Sequence, residues 1–216
     1  MTSGEIFSKV DHTLLSVPAT EDDFIALAEE AIEAGAASVC VPPAAVAFLK
    51  NKYGDRLRIT TVIGFPNGYN TTAVKVFETE DAVKNGADEV DMVIAVGKVK
   101  ERDYDYLLKE ISAVRKAAKG KILKVIVETC LLTEEEKIKL CKIVTDAGAD
   151  YIKTSTGFQK AGATIEDVLL FKKHIGTGVK IKAAGGIRTL EDAEKYLAAG
   201  AERIGASAVI KGALKK

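Results

Sequence analysis

The chain is poor in the residues that build metal sites and disulfide scaffolds. Its 216 residues include three cysteines, Cys40, Cys130 and Cys141, and two histidines, His12 and His174. The cysteines follow no CxxC or metal-like spacing. Their odd number argues against a disulfide framework, so a reducing cytoplasm is the expected compartment. Two histidines far apart in sequence do not supply the cluster that a metal-dependent enzyme needs, and neither a metal nor a cofactor is expected. His174, in Phe171-Lys172-Lys173-His174-Ile175, reads as a helix-end cation. Net charge is zero, with 31 Lys+Arg against 31 Asp+Glu, so nothing calls for nucleic acid or an anionic membrane as partner. Met1 to Val10 has no apolar run of signal-peptide length, and no stretch is long enough to span a bilayer. No Pro-rich or low-complexity break divides the chain. With 47% hydrophobic and 29% charged residues it reads as one globular domain, residues 1–216.

What is present is a repeat. Four times a helical stretch ends in Gly-Ala and turns directly into a strand: Gly35-Ala36, Gly86-Ala87, Gly148-Ala149 and Gly200-Ala201. Glycine suits the left-handed residue that closes a helix. Thr20, Thr133, Thr164 and Thr189 each precede acidic residues and an amphipathic run, the signature of an N-cap. Val10 to Leu14, Arg58 to Gly64 and Ile122 to Glu128 add further strands. About eight strands alternating with helices predict a parallel sheet covered by helices. The length fits a compact TIM (β/α)8 barrel, with an open doubly wound sheet as the alternative.

In such a barrel, chemistry gathers at the C-terminal strand ends. The polar residues there are Asp11, Cys40, Asp91, Glu128, Lys153 and Lys182. Lys153 and Lys182 interrupt apolar strands, Tyr151-Ile152-Lys153 and Val179-Lys180-Ile181-Lys182. A buried lysine with a depressed pKa is a nucleophile, and two on one scaffold point to Schiff-base chemistry on a carbonyl. The plainer reading is two lysines with their heads in solvent. Two ammonium groups about 6 Å apart repel by roughly 3 kcal/mol, so one can lose its proton while the other keeps it. A buried Asp91 needs a cation, and the lysines are the obvious partners; its plainer role is an ion pair that stabilises the barrel. Two Gly-rich turns, Ala184-Gly185-Gly186-Ile187 and Gly205-Ala206-Ser207-Ala208, are suited to a phosphate, and Gly157 adds a further donor. Ordinary turn chemistry also explains them singly. Cys40 reads as a small core residue, with a reactive thiol as the alternative. A class I aldolase with another donor, a transaldolase, or a non-catalytic barrel that binds a sugar phosphate remains open on these residues alone.

The chain also resembles the deoxyribose-phosphate aldolase family along essentially its whole length. The resemblance rests on Asp11-His12-Thr13-Leu14-Leu15, Val39-Cys40-Val41-Pro42, Val62-Ile63-Gly64-Phe65-Pro66 and Glu89-Val90-Asp91-Met92-Val93. It continues through Val127-Glu128-Thr129, Lys153-Thr154-Ser155-Thr156-Gly157-Phe158, Lys182-Ala183-Ala184-Gly185-Gly186-Ile187-Arg188 and Arg203-Ile204-Gly205-Ala206-Ser207. It implies a metal-free class I aldolase of deoxyribose phosphate catabolism. Such an enzyme reversibly cleaves 2-deoxy-D-ribose 5-phosphate to glyceraldehyde 3-phosphate and acetaldehyde. By the resemblance, Lys153 forms the imine, Lys182 perturbs its pKa, and Asp91 joins Lys182 in a proton relay through water. Asp11 and Thr154 would place the substrate or serve the relay, and Gly157, Gly185, Gly186, Gly205 and Ser207 would hold the phosphate. A homodimer or higher oligomer is also implied. Two positions depart from some members of the family: Phe158 stands where they carry a lysine, and Ala208 where they carry a second serine. These bear on the preference for phosphorylated over free sugars.

Overall fold

The computed structural model describes residues 1–214. Eight parallel strands close into a barrel in chain order, each strand hydrogen-bonded to the next and β8 to β1. The strands are β1 (Val10–Thr13), β2 (Ser38–Val41), β3 (Ile59–Ile63), β4 (Glu89–Val93), β5 (Ile122–Ile126), β6 (Tyr151–Lys153), β7 (Lys180–Ala184) and β8 (Arg203–Ala206). A short helix, α1 (Ser3–Phe7), precedes the barrel. The outer ring is formed by α2 (Glu21–Ala34), α3 (Pro43–Tyr53), α4 (Thr72–Lys84), α5 (Val96–Lys100), α6 (Tyr104–Ala117), α7 (Glu134–Asp146), α8 (Ile165–His174), α9 (Leu190–Ala199) and α10 (Val209–Leu214). The closed barrel replaces the open-sheet alternative.

The caps follow the sequence pattern. Thr20, Thr133 and Thr189 form reciprocal capping boxes with Asp23, Glu136 and Asp192. The Thr164 side chain accepts from Asp167 N–H. At the other helix ends Gly35, Gly86, Gly148 and Gly200 all adopt positive φ. His174 is the last residue of α8, where a cation faces the negative end of the helix dipole.

Alternation along the strands divides the core in two. Outward residues such as Val39, Val90, Val125, Ile152 and Ile204 pack under helix residues such as Leu49, Leu107 and Phe171 as one buried apolar layer. The inward positions carry Asp11, Ser38, Thr60, Glu89, Asp91, Lys124, Lys153, Lys182 and Arg203, all buried. A buried charge without partners is strongly unfavourable, so this interior is stable only as a paired network.

Candidate active site

Three ammonium groups converge on one carboxylate inside the barrel. Asp91 Oδ2 accepts from Lys153 Nζ at 2.8 Å and from Lys182 Nζ at 2.7 Å, while Oδ1 accepts from Lys124 Nζ at 2.8 Å. Register explains the convergence. Lys153 stands beside Lys182 on adjacent strands, and Asp91 stands beside Lys124. Beneath them a second set of charges completes the pairing. Asp11 accepts from Lys182, Ser38 and Arg203. Glu89 accepts from Arg203 and Thr60 and pairs with Lys124.

The two sequence-identified lysines sit in different fields. Burial pulls the Lys153 amine below the usual lysine value; Asp91 opposes this and the Lys182 charge adds to it. Burial also works against the charge on Lys182. There Asp11 and Asp91 together outweigh it and hold the amine above the usual value. Burial disfavours ionised Asp91, but Lys124, Lys153 and Lys182 hold its carboxyl well below the carboxylate range. The inward strand positions thus hold three carboxylates, Asp11, Glu89 and Asp91, against four cations, Lys124, Lys153, Lys182 and Arg203, and a further buried carboxylate, Glu128, lies just beyond β5 within the field of Lys153. Losing the proton from Lys153 evens the charges of the inward strand positions. Arg58 also comes within 3.9 Å of Glu89, but it is exposed and its charge is solvated.

Lys153 alone of these groups opens upward. It is 4% exposed, and it lines a cleft of about 590 Å3 at the C-terminal end of the barrel. Gly157, Gly185, Gly186, Gly205 and Ser207 line the same cleft, together with Arg188 from the β7–α9 turn. Gly185 and Gly186 have φ of +87° and +81°. A Cβ on Gly185 would stand 2.8 Å from Gly162 Cα, so the turn needs glycine to pack against the β6–α8 loop. At Gly205 the requirement differs: a Cβ would meet Lys182 Cε at 3.1 Å, and the bare backbone leaves a path for the lysine stem. Ala208 does not line this cleft, whereas Phe158 does.

Asp11 is fully buried among Lys182, Ser38 and Arg203, below the cleft, where its contact with Lys182 suits the relay of its two expected roles. Thr154 points away from the cleft because its position alternates with that of Lys153. Its hydroxyl donates to Ala184 O at 3.3 Å and accepts from Ala184 N at 3.1 Å, joining β6 to β7. Lys182 meets Asp91 directly, the two groups that the resemblance joins in a proton relay. Cys40 is buried in the barrel and burial pushes its thiol up, away from the reactive thiolate. Glu128, left without a role by the sequence, takes φ +60° after β5, and its carboxylate accepts from both the N–H and the hydroxyl of Thr156. It shapes the turn that carries Gly157 into the cleft.

Lys124, Glu89 and Arg203 are functional positions beyond those the strand-end rule picks out: each puts a charge on an apolar strand, a signal the sequence does carry, but they lie deeper than the strand ends. Among the described residues no group of three or more His, Cys, Asp or Glu is arranged to hold a metal ion, and the carboxylates here are occupied by the protein's own cations.

A family model for DeoC/LacD aldolases matches residues 6–213. A deoxyribose-phosphate aldolase of Clostridioides difficile is 53% identical over 206 residues, covering 95% of this chain and 94% of that one. A deoxyribose-phosphate aldolase of Streptococcus agalactiae is 55% identical over 207 residues, covering 96% and 93%. Among solved structures, the tetrameric deoxyribose phosphate aldolase of Aeropyrum pernix superposes with a TM-score of 0.91 at 31% identity, covering 99% of this chain and 92% of the other.

Proposed function

The chain belongs to the DeoC/LacD family of aldolases, and from that premise we propose how its buried lysines and glycine-lined cleft carry out a reversible carbon–carbon cleavage. It is a deoxyribose-phosphate aldolase, a carbon–carbon lyase that splits 2-deoxy-D-ribose 5-phosphate into D-glyceraldehyde 3-phosphate and acetaldehyde. In our assignment Lys153 is the imine-forming amine. The observation that carries it is a buried amine with a depressed pKa, on the floor of the glycine-lined cleft and 2.8 Å from a carboxylate.

Neutral Lys153 attacks C1 of the open-chain sugar phosphate, and loss of water gives a protonated imine. Removal of the proton on the C3 hydroxyl breaks the C2–C3 bond. The electron pair moves into the iminium, leaving an enamine on Lys153 and free glyceraldehyde 3-phosphate. Protonation at C2 and hydrolysis then release acetaldehyde and the amine. Asp91 and Lys182, in direct contact, are suited to pass the protons, and Lys182 retains a proton to give. Backbone N–H groups around Gly157, Gly185, Gly186, Gly205 and Ser207, with Arg188 beside them, are suited to the phosphate.

Residues 1–216 act as one catalytic domain. A homo-oligomer is consistent with the exposed Tyr69, Val74 and Phe77 on and before α4, and with the tetramer of the Aeropyrum relative. A cytoplasmic setting fits three free thiols.

Lys153→Leu tests the assignment. Release of glyceraldehyde 3-phosphate from 2-deoxyribose 5-phosphate is expected to fall by about 10^4-fold or more, with the far-UV circular dichroism spectrum and melting temperature retained. Activity within tenfold of the parent protein would remove Lys153 from the chemistry.

A further inference from the structure

A second buried lysine–carboxylate pair lies outside the barrel interior and takes no part in the imine chemistry. Lys75 on α4 and Glu110 on α6 are both fully buried, and Lys75 Nζ donates to Glu110 Oε1 at 2.7 Å. The same ammonium donates to Gly68 O at 2.6 Å and Val93 O at 2.8 Å, so all three of its protons are used. Glu110 Oε2 accepts from Ala95 N–H at 3.1 Å. The pair therefore ties three segments together: the β3–α4 loop, the C-terminal end of β4 beyond Asp91, and α6.

Stability alone is a poor reason for such a pair, because well-packed apolar residues usually do as well in its place. The loop is also built around the lysine. A Cβ on Gly64 would stand 2.9 Å from Lys75 Cε, and a Cβ on Gly68 would stand 2.0 Å from Ile94 O. Both glycines have positive φ, so the loop backbone lies directly on the lysine stem and on the chain just past β4. Between them is Phe65, whose ring meets the Phe158 ring edge-on at a centroid distance of 5.2 Å. Phe158 follows Gly157 and lines the glycine-lined cleft. On its other side Phe65 and Phe158 together line an apolar cavity of about 630 Å3. Phe158 thus stands between the two cavities, beside Leu15 and Ser16, which also line both, and Phe65 braces its ring from a loop that the buried ion pair holds.

We propose that Lys75 and Glu110 are positioning residues for the reaction. They fix the Gly64–Gly68 loop so that Phe65 holds Phe158, and with it the Gly157 turn, against the phosphate end of the substrate. This rests on the aldolase reading given above. The pair acts on the half of the substrate that leaves as the phosphorylated aldehyde, and Lys153 handles the other half.

Steady-state kinetics of Lys75→Met, Glu110→Gln, Phe65→Ala and the Lys75→Met/Phe65→Ala double variant test this, with borohydride trapping of acetaldehyde on Lys153 measured in parallel. In Lys75→Met, KM for 2-deoxyribose 5-phosphate is expected to rise about tenfold, with kcat within threefold and trapping unchanged. Glu110→Gln, which keeps the size of the side chain and an acceptor for Ala95, is expected to show a smaller rise and serves if Lys75→Met does not fold. In the double variant KM should rise no further than in Phe65→Ala, because both changes act through one ring. A lowered melting temperature with KM unchanged, or effects that multiply in the double variant, would overturn the proposal. A parent protein that neither traps acetaldehyde on Lys153 nor cleaves the sugar phosphate would overturn the aldolase reading, and this inference with it.

Discussion

The positive charge of Lys182, bound to the same Asp91 oxygen as Lys153, disfavours the protonated form of its neighbour. The nucleophile is the neutral amine, so activity should rise with pH as Lys153 loses its proton, and the depressed pKa brings that rise to lower pH. Lys182→Met removes the repulsion. Lys153 then keeps its proton to higher pH, so the acidic limb of kcat/KM is expected to move in the alkaline direction. At pH 7 activity should fall about 100-fold or more, because a proton donor is lost too. A pH–rate profile of the variant checks both. An unmoved limb would mean that burial alone depresses the Lys153 amine. The charges at these positions were legible in the sequence because a lysine or aspartate amid β-branched residues is hard to explain otherwise. Their partners were not. Whether Asp91 faces Lys124, Lys153 or Lys182 depends on the stagger of closed strands, which no local pattern encodes. Thr154 shows the same gap at close range: next to Lys153 in sequence, its hydroxyl is taken up by the Ala184 backbone of β7.

At the scale of elements the sequence was most informative where a single residue type has one physical task. The four threonine caps and the four left-handed glycines stand where hydrogen-bond and backbone requirements demand them. α7 is capped by Thr133, whose hydroxyl accepts from Glu136 N–H at 3.3 Å while the Glu136 carboxylate accepts from Thr133 N–H at 2.8 Å. Thr133→Ala is expected to destabilise the fold by about 1 kcal/mol, read from urea unfolding, with kcat and KM unchanged. β5 was the less legible element. Its strand ends at Ile126, and Glu128 turns left-handed to reach Thr156, a conformation that a glutamate adopts only when its surroundings hold it there. The β3–α4 loop is similar. Lys75 lies fully buried on α4, a helix whose exposed face mixes charges with Val74 and Phe77, so no clean apolar stripe marks which of its lysines turns inward.

For the molecule as a whole, closing the sheet buries nine polar or charged side chains in its interior. Such an interior is stable only as a paired network, and the charges on its inward strand positions are even when one amine is neutral. The amine that opens to the cleft is the one that burial and a neighbouring ammonium push towards neutrality. Fold and reactivity therefore have one origin: the closed barrel that pairs these residues also selects its nucleophile. The most direct measurement is to incubate the protein with acetaldehyde and sodium borohydride and to map the adduct by peptide mass spectrometry. The account predicts a reduced two-carbon adduct concentrated on Lys153, at one per chain, and absent from Lys153→Leu. Labelling spread over exposed lysines, with no preference for Lys153, would contradict it.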